Sequence, residues 1–273
     1  MATPTGIRAG VGFRHCVVFA LNSNGVPNAT STSPYEGIAL TGSKALTITE
    51  PEPRRIPYPG DDTILSIDVL PPLEAITGEL RVGSTNDILD ALISGVNNVT
   101  VGEALLHPVG TEKKGYEPQV GILAYRQGQD LDPNSPNFGR RVWDFRIFPR
   151  VWLISRDQGY SDNAEERVYT VAPVKVTQHI WGVPFSLTNE GAKSAQMLRG
   201  VSYYKPKIVA WKADGTEDEF LFPADAPAAD ISTISVFQDG SEVGAGITKS
   251  TTKITFTTPP QTGKIIVAFY GVA

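Results

Sequence analysis

Hydrophobic and polar residues alternate with a period of two along much of the chain. The clearest case is residues 75–82 (AITGELRV), where apolar side chains fall on one face and Thr77, Glu79 and Arg81 on the other. Because successive side chains of a strand point to opposite faces, this alternation predicts half-buried β-strands. Comparable strand patterns cover residues 15–21, 44–49, 63–70, 99–106, 120–127, 150–155 and 167–181.

Residues 142–148 (VWDFRIF) also alternate, but their two faces differ in character. One face carries a Trp, a Phe and an Ile, as expected of a side that packs in a core. The other face joins Asp144 and Arg146 to two apolar side chains, a mixture that is unlike ordinary solvent-exposed surface. This mixed face meets water, another copy of the chain or a ligand, and the pattern leaves the three open.

One segment, residues 84–95 (STNDILDALISG), has helical spacing instead. Ser84 or Thr85 is suited to cap the N-terminus, and apolar residues then recur at helical spacing until Gly95. The segment predicts a single helix of about three turns. Because it follows a strand directly, we expect it to lie across one face of a sheet.

Two stretches rich in turn-forming residues predict long loops. Residues 50–62 (EPEPRRIPYPGDD) hold four prolines and six charged residues between two strand patterns. Long loops of this kind usually contact another molecule, although a solvated loop is the alternative. Residues 128–141 form the second predicted loop, and Pro149 marks a bulge or an edge in the strand that follows.

The composition changes towards the C-terminus, where acidic residues are followed by an Ala/Pro-rich stretch. We therefore predict two units, a β domain over residues 1–212 and a small C-terminal β module over 213–273. An Asp-Gly turn and a Pro-Pro turn separate the strand patterns of this module. On this division, a chain ended near residue 215 is expected to retain whatever assembly the first unit supports.

Charge and composition narrow the possible classes of protein. The 273 residues have a net charge of −5, which gives no general affinity for nucleic acid or for an anionic membrane. Cys16 is the single cysteine, so an internal disulfide is excluded. Residues 1–12 lack a signal-peptide pattern, and no run reaches the ~18 apolar residues of a membrane span. We expect a soluble protein that is synthesised in a cytoplasm.

Catalytic chemistry has little support in the sequence. The three histidines have no arrangement typical of catalysis, and His15 and Cys16 point to opposite faces of a strand. None of the common nucleophile, zinc or phosphate-binding motifs occurs, and the acidic residues 214–219 lack the spacing of a calcium loop. We therefore expect no enzymatic activity, no cofactor and no metal site.

The remaining candidate features indicate packing or self-association. Three of the four tryptophans (143, 152, 181 and 211) lie in strand patterns, where packing is commoner than sugar stacking. Basic pairs occur at 54–55, 113–114 and 140–141, too dispersed among acids to form a nucleic-acid patch. We favour salt bridges between subunits as their role.

Between residues 35 and 95 the chain resembles the major tail tube proteins of long-tailed bacteriophages. The resemblance rests on the order of YEGIALTGSKALTI, PEPRRIPYPGDD, ILSIDVLPP and ITGELRVGSTNDILDALISG, and it extends more loosely to the ribbon at 167–181. The C-terminal piece, with its Asp-Gly turn and TFTTPPQTGKIIV, resembles small β modules that are appended to phage structural proteins.

The resemblance implies a mainly β fold, a β-sandwich or half-barrel with one flanking α-helix, plus the C-terminal module. Members of the family form rings, commonly hexameric, that stack into a hollow tube in the phage tail. The partners implied are further copies of the chain, the tape-measure, tail terminator and baseplate proteins, and DNA that passes without specific binding. The implied location is the virion. Candidate contacts between subunits are Arg54, Arg55, Tyr58, Asp61, Asp62, Asp144 and Arg146.

Other classes of protein stay open at this point. A capsid decoration, tail terminator or baseplate protein would share the virion but differ in place. A carbohydrate-binding β-sandwich would use exposed Trp and Tyr side chains and would be monomeric. An enzyme is the weakest alternative because no nucleophile or metal cluster is evident.

Overall fold

The computed structural model describes residues 8–40, 42–52, 54–60, 63–70, 76–83, 87–95, 99–101, 104–106, 118–155, 167–174, 176, 181 and 196–273. The chain is mainly β, with antiparallel sheets and one short α-helix among the described residues. This confirms the predicted fold class.

The elements follow one another in this order. They are β1 (Arg8–Ala20), β2 (Ile38–Leu40), β3 (Ser43–Thr49), β4 (Arg54–Gly60), β5 (Thr63–Leu70), β6 (Thr77–Val82), α1 (Asp87–Ser94), β7 (Val99–Val101), β8 (Ala104–Leu106), β9 (Val120–Asp130), β10 (Arg141–Ser155), β11 (Arg167–Pro173), β12 (Leu198–Ser202), β13 (Lys205–Lys212), β14 (Glu219–Leu221), β15 (Ser235–Gln238), β16 (Ser241–Glu242), β17 (Ile247–Lys249), β18 (Lys253–Phe256) and β19 (Ile265–Val272). A short 3₁₀ turn (Ile231–Thr233) precedes β15.

The largest sheet has the order β2-β1-β9-β10-β11-β6-β3, and β12 pairs with β10 alongside. All seven strands of this path contribute side chains to one hydrophobic cluster, the first core, so the sheet curls around it. Helix α1 covers this core with Leu89 and Ile93, and it ends at Ser94, just before Gly95, whose φ of +67° is left-handed. The predicted helix is therefore confirmed, while Ser84 and Thr85 lie outside the described residues.

The opposite face of the large sheet packs on the C-terminal strands. Leu123, Phe145 and Ile147 from β9 and β10 meet Ile208 of β13 and Val267 of β19 in a second core. The two sheets therefore form a sandwich, with apolar side chains from both inner faces filling the space between them.

A third core lies on the far side of β13 and β19. The sheet β13-β19-β15-β16 packs there against the sheet β14-β18-β17, around Trp211, Phe220 and Tyr270. Since β13 pairs with β19 from Lys205↔Val272 to Lys212↔Ile265, the C-terminal sheet begins before residue 213. The acidic stretch after β13 is a turn between two strands, and the change in composition marks this turn.

Two hairpins differ from the predicted pattern. Residues 54–60, predicted as part of a loop, form β4 and pair antiparallel with β5. Proline lacks an N–H, but it fits an edge strand, and both strands of a two-stranded hairpin are edges. Residues 99–106, predicted as one strand, form the hairpin β7-β8 instead.

The predicted bulge at Pro149 is confirmed. Strand β10 runs through it as one element, and its pairing with β9 shifts register between Phe148 and Val151. The shift lets residues on both sides of the bulge enter the first core.

Candidate subunit interface

The mixed face of residues 142–148 is divided between core and surface. Phe148 lies in the first core and Val142 is buried, whereas Asp144 and Arg146 are partly exposed. The polar pair therefore continues the face of β10 that forms the first core, at the point where the curled sheet opens to the surface.

Asp144 has a cross-strand partner. It lies directly opposite Arg126 of β9, whose Nε and Nη2 atoms are 2.9 Å and 2.7 Å from Asp144 Oδ2. Such a two-pronged contact between a guanidinium and a carboxylate fixes both side chains more firmly than a single hydrogen bond. Asp144 is thus neutralised within the chain.

Arg146 has a different environment. It lies opposite Arg199 of β12, and Arg199 forms an ion pair with Glu50. The guanidinium group of Arg146 forms no ion pair or hydrogen bond with any residue that the structure describes. We call Arg126, Arg146 and Arg199, with Asp144 and Glu50, the arginine cluster.

The arginine cluster includes a residue of the segment that leads into the β4-β5 hairpin, because Glu50 stands between β3 and β4 in the chain. The sequence prediction named two contact regions, residues 50–62 and the pair Asp144 and Arg146. The Glu50–Arg199 ion pair brings the start of the first region beside the second.

The other predicted contact residues lie in or beyond the hairpin. Arg54, Arg55 and Tyr58 belong to β4, where they pair with Leu70, Val69 and Ser66, and the description covers their backbone only. Asp61 and Asp62 lie outside the described residues. Their roles at an interface stay predictions.

Sequence reasoning missed Arg199 and its ion pair with Glu50, which joins residues 149 positions apart and which no local pattern encodes. It also missed Asp130, which is fully buried and accepts hydrogen bonds from Ser135 Oγ (2.8 Å) and Tyr203 Oη (2.7 Å). The turn-rich sequence after Asp130 was the available signal for that role. These bonds fix the 131–140 loop, which exposes Phe138.

The tryptophans do not form a shared stacking surface. Trp181 and Trp211 are fully buried, and Trp181 donates a hydrogen bond of 3.1 Å to the carbonyl of Gly25. Trp143 is partly buried and packs edge-on against Tyr125, with ring centroids 5.8 Å apart. A sugar cannot stack on the two buried rings without unfolding the cores around them.

Cys16 and His15 lie on opposite faces of β1, as predicted. Cys16 is in the first core, and burial raises the pKa of its thiol to about 12, so the thiol stays protonated at neutral pH. His15 is exposed beside the Tyr125 ring, with centroids 5.5 Å apart. In the part of the chain that the structure describes, no three His, Cys, Asp or Glu side chains come together as metal ligands would.

The chain also lacks, among its described residues, a helix of the length and apolar character needed to span a membrane. Comparison with known proteins finds no family model that matches the chain and no similar curated protein.

Proposed function

We propose that this chain is a structural virion protein, the major tail tube subunit of a long-tailed phage. Copies of it would assemble into rings, commonly hexameric in that family, and the rings would stack into a hollow tube that DNA passes through. Tape-measure, tail terminator and baseplate proteins would be its further partners. In this role the chain catalyses no reaction and needs no cofactor.

One observation carries the proposal: the β4-β5 hairpin pairs only with itself among the described strands. An isolated two-stranded hairpin is marginally stable in water, and its free edges invite pairing with another chain. A neighbouring subunit would supply the missing contacts and remove the exposed edges. The hairpin lies in the same stretch, residues 35–95, on which the resemblance to tail tube proteins rests.

The net charge of −5 agrees with a DNA conduit, because an acidic wall repels phosphate and lets the duplex slide. A decoration, terminator or baseplate protein would share the hairpin but would not form stacked rings by itself. A carbohydrate-binding sandwich has less support, since two of its four candidate stacking rings are fully buried.

Replacing residues 54–70 by a short Gly-Ser linker tests the proposal. We expect the intact chain to form particles of many subunits in sedimentation velocity and the variant to remain monomeric. The described members of the first core lie outside the hairpin, so the far-UV circular dichroism of the variant should still report a folded β protein.

A Gly-Ser insertion after Gly244 is the matched control, because that loop position is exposed and has open space around it. The control should assemble like the intact chain. Assembly of the hairpin-less variant at the same concentration as the intact chain would contradict the proposal.

A further inference from the structure

Arg146 and Arg199 lie directly opposite each other on β10 and β12. Like charges in this cross-strand position repel each other, so the arrangement costs stability unless an anion lies nearby. Glu50 forms an ion pair with Arg199, and Asp144 forms one with Arg126. Arg146 has no anionic partner among the described residues. The cluster is therefore one carboxylate short of neutral.

The β13-β14 loop, residues 213–218, presents carboxylates that lack a cationic partner among the described residues. Asp214 caps the loop by accepting hydrogen bonds from the backbone N–H groups of Thr216 (2.8 Å) and Glu217 (2.9 Å). The carboxylates of Glu217 and Asp218 form no ion pair or hydrogen bond with the described residues.

Hydrogen bonds to the loop's backbone carbonyls hold it in one conformation. The N–H of Phe256 donates to the carbonyl of Asp218 (2.8 Å), and Thr262 Oγ1 donates to the carbonyl of Asp214 (2.8 Å). A loop that is fixed in advance loses little conformational freedom when it binds. Seven other described acids already have a cationic partner: Glu36, Glu50, Glu79, Asp90, Asp144, Glu219 and Asp239.

The two surfaces lie on opposite sides of the large sheet. The arginine cluster belongs to the face that encloses the first core, while β13 packs on the other face in the second core. The sheet thus separates them within one subunit. Contact between two different surfaces of identical chains is head-to-tail, and it generates a closed ring or an open stack.

We infer that Arg146, with Arg126 and Arg199 beside it, binds the Glu217–Asp218 loop of a second copy of this chain. The guanidinium group of Arg146 is suited to a two-pronged contact with a carboxylate. This inference rests on the proposed self-assembly and adds the pair of surfaces that joins one subunit to the next.

The DNA backbone is a poorer ligand for this cluster. Two of its three guanidinium groups are already neutralised by Asp144 and Glu50. Binding to duplex DNA depends on several uncompensated cations that follow a row of phosphates. A single unpaired arginine matches a single carboxylate better.

Charge reversal at each surface, alone and together, tests the inference. The variants are Arg146→Glu, Asp218→Arg and the double variant, in the full-length chain. We expect each single reversal to raise the concentration needed for assembly about tenfold or more, because like charges then meet at the contact. The double variant should return to within about threefold of the unmodified chain, because the pair is restored with its signs exchanged.

Two matched controls separate the contact from a general charge effect. Arg141→Glu changes an exposed arginine on the same strand but on the opposite face, and Asp225→Arg changes an exposed acid in a neighbouring loop. Both should assemble like the unmodified chain, and thermal melts should show all variants folded.

The outcomes distinguish this inference from the proposed function. Single reversals that assemble normally, or a double variant as impaired as the singles, would overturn the inference and leave tube assembly standing. Loss of duplex DNA binding by Arg146→Glu with unchanged assembly would assign the cluster to DNA and would also overturn it. An unmodified chain that never assembles would contradict both.

Discussion

Asp90 joins helix α1 to the curled sheet through polar contacts inside a buried environment. Its carboxylate forms an ion pair with Arg167 and accepts a hydrogen bond of 3.0 Å from Tyr169 Oη, and only about 5% of Asp90 is exposed. Arg167 and Tyr169 both belong to β11, so the contacts attach the helix to one strand.

Asp90→Asn keeps the shape of the side chain but removes its charge. Because the side chain of Arg167 is only 11% exposed and loses this counter-ion, we expect the free energy of unfolding to fall by about 3 kcal/mol. Urea denaturation followed by circular dichroism measures the change. Asp225→Asn, at an exposed position, is the control and should change stability by less than about 0.5 kcal/mol. If Asp90→Asn also lowered the free energy of unfolding by less than about 0.5 kcal/mol, the helix would be held mainly by the packing of Leu89 and Ile93.

Buried titratable groups make the chain sensitive to alkali. Burial raises the pKa of the Cys16 thiol from 9.0 to about 12 and that of the Tyr125 hydroxyl from 10.0 to about 12, with Cys16 adding to the second effect. Between pH 9 and pH 12 the unfolded chain therefore releases protons that the native chain retains. The contribution of Cys16 to stability is fully present below pH 9, and that of Tyr125 below pH 10. Above these values each contribution falls by about 1.4 kcal/mol per pH unit until the pH reaches the pKa of the folded chain.

Cys16→Ala separates the thiol from the rest of this effect. We expect unfolding free energies measured from pH 8 to pH 11 to fall less steeply in the variant than in the unmodified chain. The comparison uses slopes, since the smaller side chain lowers stability at every pH. Equal slopes would show that the thiol is not buried in the native protein.

At the scale of single residues, the sequence predicted which face of a strand is buried better than it predicted which side chains contact each other. The alternation in VWDFRIF correctly predicted one face that packs in a core. The mixed composition of the other face singled out Asp144 and Arg146, whose role in a subunit contact stays a prediction. Arg126, Arg199 and Glu50 were not predicted as their neighbours, because strand pairing brings them together from distant parts of the chain.

At the scale of elements, β13 and β19 have both faces buried. Ile208 and Val267 point into the second core, and Val209 and Trp211 point into the third. Such strands form a middle layer that neither neighbouring layer can lose without exposing apolar surface to water.

The sequence led us to expect that a chain ended near residue 215 would still assemble. The middle layer formed by β13 and β19 leads to the opposite expectation. Such a chain keeps β13 but loses β19, its only strand partner among the described residues, together with most of the third core. We expect it to aggregate or to unfold at a lower temperature, as measured by thermal circular dichroism. Phe220→Ala affects only the third core and is the milder comparison. We expect it to lower the free energy of unfolding by about 3–5 kcal/mol.

Normal folding and assembly of the shortened chain would show instead that the C-terminal strands are an appendage. The sequence suggested that boundary because an acidic turn and a linker have the same composition. Periodicity does not tell whether a strand such as β13 pairs with the strands before it or with those after it.

Because a local pattern does not show strand pairing, the sequence also failed to predict the hairpins β4-β5 and β7-β8. Prolines at 57 and 59 and the surrounding charges indicated a loop, but a two-stranded hairpin has no central strand from which proline is excluded. The helix over 87–94 was predictable because its apolar spacing and Gly95 agreed, although its eight described residues make about two turns and three were predicted.

At the scale of the whole molecule, three apolar cores are stacked, with the large sheet and the β13-β19 sheet separating them. Glu50 links the arginine cluster to the chain segment that leads into the β4-β5 hairpin, whereas the acidic β13-β14 loop lies on the other side of the large sheet. The distribution favours repeated head-to-tail contacts between copies.

Negative-stain electron microscopy of the purified full-length protein, concentrated and incubated, tests this account most directly. The account predicts rings of uniform diameter with a central channel, and stacks of such rings as hollow tubes at higher concentration. The images would also give the ring symmetry, for which six subunits are expected from the resemblance to tail tube proteins. A field of uniform, separate monomers at every concentration would contradict the account, and a glycan-binding screen would then be the next experiment.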